Sequence, residues 1–295
     1  MAMRPKRSWL FAPGSNARMC DKALTSGADC VILDLEDAVA LDAKPEARRQ
    51  VRALLDRLGD GAAPVYVRVN GTKSGLLAED VAAVVVPTLA GIVFPMAETR
   101  AQVEEVDALI GAAEARAGMA AGAVEVVCLI ETAAGLFGAR EVAAGAARVA
   151  HLGFGAGDLC GDLGIPTTNE GPHMLQGKVW TVWASRAAGI QAPLDTVYFD
   201  LQNPAGFEAD CEQAKALGFL GKTVIHPAQV EPANRIMAPS DGEIDLAWRI
   251  VEAFRAAEAA GTGAIRVDGK LIDYAMVKSA EKILAVATTL GRHPG

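Results

Sequence analysis

Aromatic residues are scarce, 5% of a 295-residue chain, so an apolar content of 51% is carried mainly by Ala, Val, Leu and Ile. Side chains of that size and regularity suit helices packed closely over strands. No run of Lys or Arg occurs, and 36 acidic against 28 basic residues give a net charge of −8. A role on nucleic acid or at a membrane surface therefore has no electrostatic footing. Every long apolar stretch is broken by a charge or a glycine before the roughly 18 residues that a membrane span needs. Residues 1–7 carry basic side chains but lack the apolar core and cleavage pattern of a secretory signal. Cysteine is sparse and odd in number: Cys20, Cys30, Cys128, Cys160 and Cys211 contain no C-x-x-C pair. That argues against a disulfide framework or a zinc site and reads as reduced thiols in a cytoplasmic protein. Missing too is a G-x-G-x-x-G fingerprint after the first strand-like run, which removes the dinucleotide-binding reading.

What is present is a rhythm. Short β-branched runs at 8–11, 30–35, 65–69, 91–94, 124–130, 149–154, 196–201 and 222–225 alternate with Ala-rich helical patterns at 16–26, 44–58, 100–117, 135–144, 176–188 and 204–217. Gly27, Gly59, Gly118, Gly145, Gly189 and Gly218 stand where these helices should stop. Alternation of this kind implies consecutive βα units around a parallel sheet. Polar residues recur at the strand ends, and those ends form a single face only in a closed barrel. The expected fold is α/β, a (β/α)8 TIM barrel over 1–238. A C-terminal extension over 239–295 follows as helix (241–260), hairpin centred on Asp268-Gly269, and helix (274–290). The extension is too short to stand alone and must dock on its own barrel or on a neighbouring subunit.

Chemistry in such barrels sits at the carboxyl ends of the strands. Reading those ends collects Asp34, Glu36 and Asp37, then Arg68 and Asn70, Glu131, Asp158, Asp200 and His226. So many acids at one mouth need a cation to neutralise them. Glu131 ends the apolar run V-V-C-L-I-E, where alternation aims it at the mouth, while Asp158 follows the Gly-rich G-F-G-A-G, read as a tight loop. Two carboxylates with waters and substrate oxygens make a Mg²⁺ site, with Mn²⁺ as a substitute; the alternatives are a salt-bridge acid and a helix cap. Arg68, inside an apolar strand, should meet an anion: a substrate acid, or Glu36 and Asp37 as ion-pair partners. Those two acids are read equally as catalytic or as holding Arg68. Asp200 is expected to be a buried structural acid and His226 a buried histidine bonded to nearby backbone. Lys222 starts its strand at the far rim, which argues against a Schiff base.

Taken together, L-F-A-P-G-S at 10–15, L-D-L-E-D-A-V at 33–39, V-R-V-N at 67–70, L-I-E-T at 129–132, G-A-G-D-L at 155–159 and G-K-T-V-I-H-P-A-Q at 221–229 resemble the citrate lyase beta-subunit-like proteins. These form part of the HpcH/HpaI aldolase group, beside the malyl-CoA and citramalyl-CoA lyases. D-G-K-L-I-D at 268–273 extends the resemblance into the tail. The resemblance implies a Mg²⁺ site at Glu131 and Asp158, and Arg68 binding the substrate acid. It implies a CoA-holding loop with Pro13, Gly14 and Arg18, and a homotrimer or hexamer in which Asp273 reaches an adjacent active site. Without it, Asp273 is equally an N-cap. The implied reaction is carbon–carbon cleavage of a 3-hydroxyacyl-CoA into an acyl-CoA and a 2-oxo acid, or the reverse. Two departures leave the acyl group and the carrier (CoA or an acyl-carrier protein) open. Phe94-Pro95-Met96 stands where many relatives carry Pro-Lys, and 171–183 differs from the usual helix start. Rival readings are an aldolase for free 2-oxo acids, a beta subunit active only within a multi-enzyme complex, and an inactive binding barrel.

Overall fold

The computed structural model describes residues 5–59, 61–259, 261 and 263–293. Among these, β1 (Ser8–Pro13), β2 (Cys30–Asp34), β3 (Val65–Arg68), β4 (Leu89–Phe94), β5 (Glu125–Ile130), β6 (Val149–Phe154), β7 (Leu194–Asp195) and β8 (Gly221–Val224) run parallel in sequence order. β8 pairs back onto β1, with Ser8 opposite Lys222, and closes the barrel. The helices between them are α1 (Ala17–Leu24), α2 (Lys44–Asp56), α3 (Leu77–Val84), α4 (Arg100–Arg116), α5 (Ala133–Ala143), α6 (Ala156–Leu163), α7 (Pro172–Ala188) and α8 (Pro204–Leu217). The expected TIM barrel is what forms.

Strands covered on both faces must be apolar throughout, and all five residues of β2 are buried. Inside the barrel, Trp9, Cys30, Ile32, Tyr66, Val93, Val127, Leu129 and Leu194 make one cluster. Its floor is polar: Lys6 Nζ reaches Tyr66 Oη (3.0 Å) and Glu125 Oε2 (2.9 Å), and Tyr66 Oη donates to Glu125 (2.6 Å). Gly189 and Gly218 cap α7 and α8 in the left-handed conformation, as their positions in the sequence suggested.

Several elements differ from expectation, α6 among them. The seventh strand is not 196–201 but the two residues Leu194 and Asp195. Beyond them the backbone binds side chains instead of a neighbouring strand. Asn169 Nδ2 donates to the Val197 carbonyl (2.7 Å), and Asn169 Oδ1 accepts from Phe199 N–H (3.3 Å). Asp200 is consequently exposed, not buried, and its carboxylate accepts from Gln202 N–H. α3 carries no signal strong enough to have been expected.

Chain contacts divide the molecule after Asn234. The part from Arg235 onward contains α10 (Asp241–Ala259), β9 (Ile265–Val267), β10 (Lys270–Ile272) and α11 (Tyr274–Thr289), preceded by α9 (Val230–Met237), which crosses the division. α10 and α11 share an apolar cluster that includes Ile250, Phe254, Ile272 and Val277. Val267 pairs with Lys270, leaving Asp268 (φ 50°) and Gly269 (φ 77°) as a two-residue turn with both residues left-handed. That is the type I′ hairpin expected of Asp-Gly. Ala260, the expected last residue of the first helix, lies outside the described residues, as do residues 1–4 of the amino-terminal segment. No helix among the described residues is long and apolar enough to cross a membrane.

Candidate active site

Side-chain alternation builds the site. Asp34, Arg68, Glu131 and Thr196 each lie two residues beyond an interior core residue, namely Ile32, Tyr66, Leu129 and Leu194. Each therefore projects into the same interior at its carboxyl end. They line a cavity of about 470 Å³ together with Phe11, Pro13, Met19, Asp37, Asp158, Phe199, Thr223 and Ile225, among others.

Arg68 is the cation of this cavity, and it is held by acids. Its Nε and Nη2 donate to the two oxygens of Asp34 (2.8 and 2.6 Å), and Nη1 faces Glu36 (2.9 Å) and Asp37 (3.4 Å). Its guanidinium carbon lies 5.2 Å from the Phe11 ring centroid. Asp34 also accepts from the backbone N–H groups of Glu36 and Ala38, which shapes the loop carrying both acids. Burial opposes the Arg68 charge, but Asp34 and the neighbouring acids hold the guanidinium protonated well above its ordinary range. Burial pushes the Glu36 carboxyl up to about 8 despite the pull of Arg68. Of the two expected partners, Asp37 lines the cavity and is largely exposed, whereas Glu36 is mostly covered.

Glu131 is 3% exposed and accepts the Met96 N–H at 2.7 Å. Met96 presents that N–H from a left-handed backbone (φ 49°), unusual for a residue with a side chain. Burial, then the nearby Asp158, pushes the Glu131 carboxyl up to about 7; the Met96 bond and Arg68 pull the other way. Asp158 is also raised, by burial and then by Asp37. It does not lie on a loop, as its glycines suggested, but in the first turn of α6. The helix begins at Gly155, whose hydrogen faces Glu131: a Cβ there would meet Glu131 Oε2 at 2.5 Å and its Cβ at 2.6 Å. Glycine is the residue that lets α6 approach the β5 end so closely.

Two carboxyls thus crowd one end of the cavity, both drawn toward protonation, with Arg68 already committed to other acids. This oxygen-only donor set fits a hard divalent cation, which prefers carboxylates and retains waters. Among the described residues no group of three or more His, Cys, Asp or Glu side chains stands in a metal-holding arrangement, so the fit is to a two-carboxylate site.

Other expected residues are placed as follows. Pro13 lines the cavity, and Gly14 is buried behind it, its N–H donating to the Asp34 carbonyl at 2.8 Å. Arg18 is exposed and does not line the cavity. Asp273 caps α11, accepting from Ala275 and Met276 N–H (3.0 and 3.1 Å). His226 is exposed, not buried; its Nδ1 accepts from Ala228 N–H and caps the short 3-10 turn Pro227–Gln229. Lys222 is fully buried against Asp195 and Asp210, which disposes of a Schiff-base role. Thr196, Phe199 and the Met96 N–H were not anticipated. Thr196 was findable, since it extends the interior alternation from Leu194; a backbone donor leaves no trace in sequence.

The HpcH/HpaI aldolase/citrate lyase family model matches residues 7–227. The chain belongs to the HpcH/HpaI aldolase/citrate lyase family. It is 33% identical to citrate lyase subunit beta of Leuconostoc mesenteroides subsp. cremoris, covering 96% of this chain and 94% of that one. To L-malyl-CoA/beta-methylmalyl-CoA lyase of Cereibacter sphaeroides it is 36% identical, with coverage of 96% and 95%. Among solved structures, CitE of Mycobacterium tuberculosis in complex with magnesium, acetoacetate and coenzyme A superposes with a TM-score of 0.77. That match has 27% identity and covers 97% of this chain and 100% of CitE. The likeness to these relatives extends past residue 227, where the match to the family model ends, into the carboxyl-terminal residues.

Proposed function

We propose that the chain is a Mg²⁺-dependent carbon–carbon lyase that cleaves, or forms, a 3-hydroxyacyl-CoA such as citramalyl-, malyl- or citryl-CoA, yielding an acyl-CoA and a 2-oxo acid. The lyase class follows from the family and from relatives named as lyases over nearly their whole length. The observation that carries the reading is the pair Glu131 and Asp158, two neighbouring carboxyls lining one cavity with Arg68, each raised chiefly by burial. The CitE complex with magnesium and coenzyme A supports the choice of cation and carrier.

In this reading Glu131 and Asp158 hold the cation. Mg²⁺ supplies Lewis-acid stabilisation of the oxygen charge that develops as the carbon–carbon bond breaks. Arg68 has five N–H donors; its contacts to Asp34, Glu36 and Asp37 leave one on Nη2 for a substrate oxygen, and the 3.4 Å contact to Asp37 is the weakest of them. Asp37, exposed to the cavity, takes the hydroxyl proton, while Glu36 keeps Arg68 in place. Pro13, Gly14 and Arg18 mark the CoA side of the mouth. Asp273 is the acid that protonates the thioester enolate, delivered within a homotrimer or hexamer whose 239–295 extension packs on a neighbouring subunit; the match at 268–273 is its support. The setting is the cytoplasm, in keeping with reduced cysteines.

The test is a panel of the three thioesters with purified chain, with and without EDTA, following acyl-CoA and 2-oxo acid together. Cleavage that EDTA abolishes and Mg²⁺ restores is expected, and Glu131→Gln should lower turnover by about 100-fold or more. Cleavage indifferent to EDTA, or release of free CoA with no 2-oxo acid, would refute the proposal.

A further inference from the structure

We infer that Thr196 is a positioning residue that sets Asp158 against Glu131 by capping α6 from outside the helix. The inference rests on the two-carboxylate cation site proposed above. α6 starts at Gly155, which has no side chain to satisfy the first-turn amides. The Ala156 N–H is instead accepted by Thr196 Oγ1 at 2.9 Å, in a buried contact. Asp158 lies two residues further along the same turn, so the register of this bond sets where its carboxyl stands.

Thr196 can act this way because it is itself held on both sides. On one side is Asp195, fully buried, whose carboxylate accepts from Lys178 (3.2 Å) and Lys222 (2.5 Å), both also fully buried. Asp210 pairs with the same two lysines, and the Asp195 carbonyl accepts from Thr223 Oγ1 at 2.7 Å. Apolar side chains of similar volume would avoid the desolvation penalty of four buried charges, so such a quartet is weak evidence of stability alone. Here it pins a two-residue strand with one ladder partner on β6 and two on β8. On the other side, Asn169 clamps Val197 and Phe199. Thr196 sits between these two anchors with its hydroxyl against the α6 terminus.

The test compares Thr196→Val, which keeps shape and loses the acceptor, with Thr196→Ser, which keeps the acceptor. Amide hydrogen exchange over residues 156–160 is read on the full chain without metal, and Mg²⁺ affinity is read by calorimetry without substrate. Thr196→Val should accelerate exchange about tenfold and weaken Mg²⁺ binding about tenfold, as loss of one buried hydrogen bond implies. Thr196→Ser should stay within about twofold of wild type on both. Unchanged exchange in Thr196→Val overturns the capping role whatever the metal does. Faster exchange with unchanged Mg²⁺ affinity overturns the link to Asp158 while leaving the cation site standing. A wild-type chain that takes up no Mg²⁺ defeats the proposed function and this link with it; the exchange comparison then still decides whether Thr196 caps α6.

Discussion

Gly155→Ala probes the site through a single methyl group. The backbone there (φ −111°, ψ 97°) is open to any L residue, so the substitution introduces no conformational strain of its own. The clash is steric: the new Cβ falls 2.5 Å from Glu131 Oε2 and 2.6 Å from Glu131 Cβ. Rotating the Glu131 side chain cannot relieve a contact to its own Cβ, and doing so would also break the 2.7 Å bond from Met96 N–H. Either β5 and α6 part or the carboxylate is displaced. Overpacking of this kind costs about 1–3 kcal/mol. In a chain of this size that corresponds to a fall in Tm on the order of 5 °C. Displacement of one ligand by even about 0.5 Å should weaken Mg²⁺ binding by at least roughly tenfold. Gly161→Ala, also in α6 but with nothing within 4 Å of its Cβ, should instead stabilise by about 0.5–1 kcal/mol with Mg²⁺ affinity unchanged. Thermal unfolding by circular dichroism and calorimetric Mg²⁺ titration of the two variants decide the matter. A Gly155→Ala protein that melts with the wild type and binds Mg²⁺ equally well would show that the α6–β5 approach does not constrain the site.

Two further outcomes are expected away from the Glu131–Asp158 pair. His151 is fully buried in β6, its Nδ1 at 2.9 Å from the Ala192 carbonyl, and burial pushes it down to about 4 despite that bond, with Lys6 adding to the shift. Because the folded value lies below the ordinary 6.5, its contribution is complete above pH 6.5 and is lost as pH falls toward 4, about 3 kcal/mol in all. Urea unfolding across that window should show a flatter profile in His151→Gln, and identical slopes would contradict the assignment. At Asp273, Asn preserves the cap on α11 while removing the acid, whereas Ala loses about 1 kcal/mol of helix stability. Asp273→Asn should therefore melt like the wild type yet turn over roughly 100-fold more slowly; full activity would reduce Asp273 to a cap.

Legibility followed the range of the forces involved. Helix ends at Gly189 and Gly218, the Asp268-Gly269 turn and the burial of β2 depend on a residue and its close neighbours, and each was readable in order along the chain. Alternation carried Glu131 and Arg68 to the mouth for the same reason, since a strand's two faces are set by its own period. The seventh strand failed that test. Val197 and Phe199 look like strand residues, but their peptide groups are taken by Asn169, some 30 residues away in sequence. Asp158 was misread as a loop residue because glycine is a poor helix former, and what starts α6 is a hydroxyl 40 residues further on.

The sequence by itself determined the barrel, its strand order and the set of acids and arginine at its carboxyl rim, because periodicity and local turn chemistry act over a few residues. Tertiary structure decided among the readings left open: Arg68 is held by Asp34 as well as by Glu36 and Asp37, and Glu131 meets Asp158 across the gap that Gly155 leaves. Charge and burial at a site come from side chains brought together by closure of the barrel, and no window along the chain contains them at once.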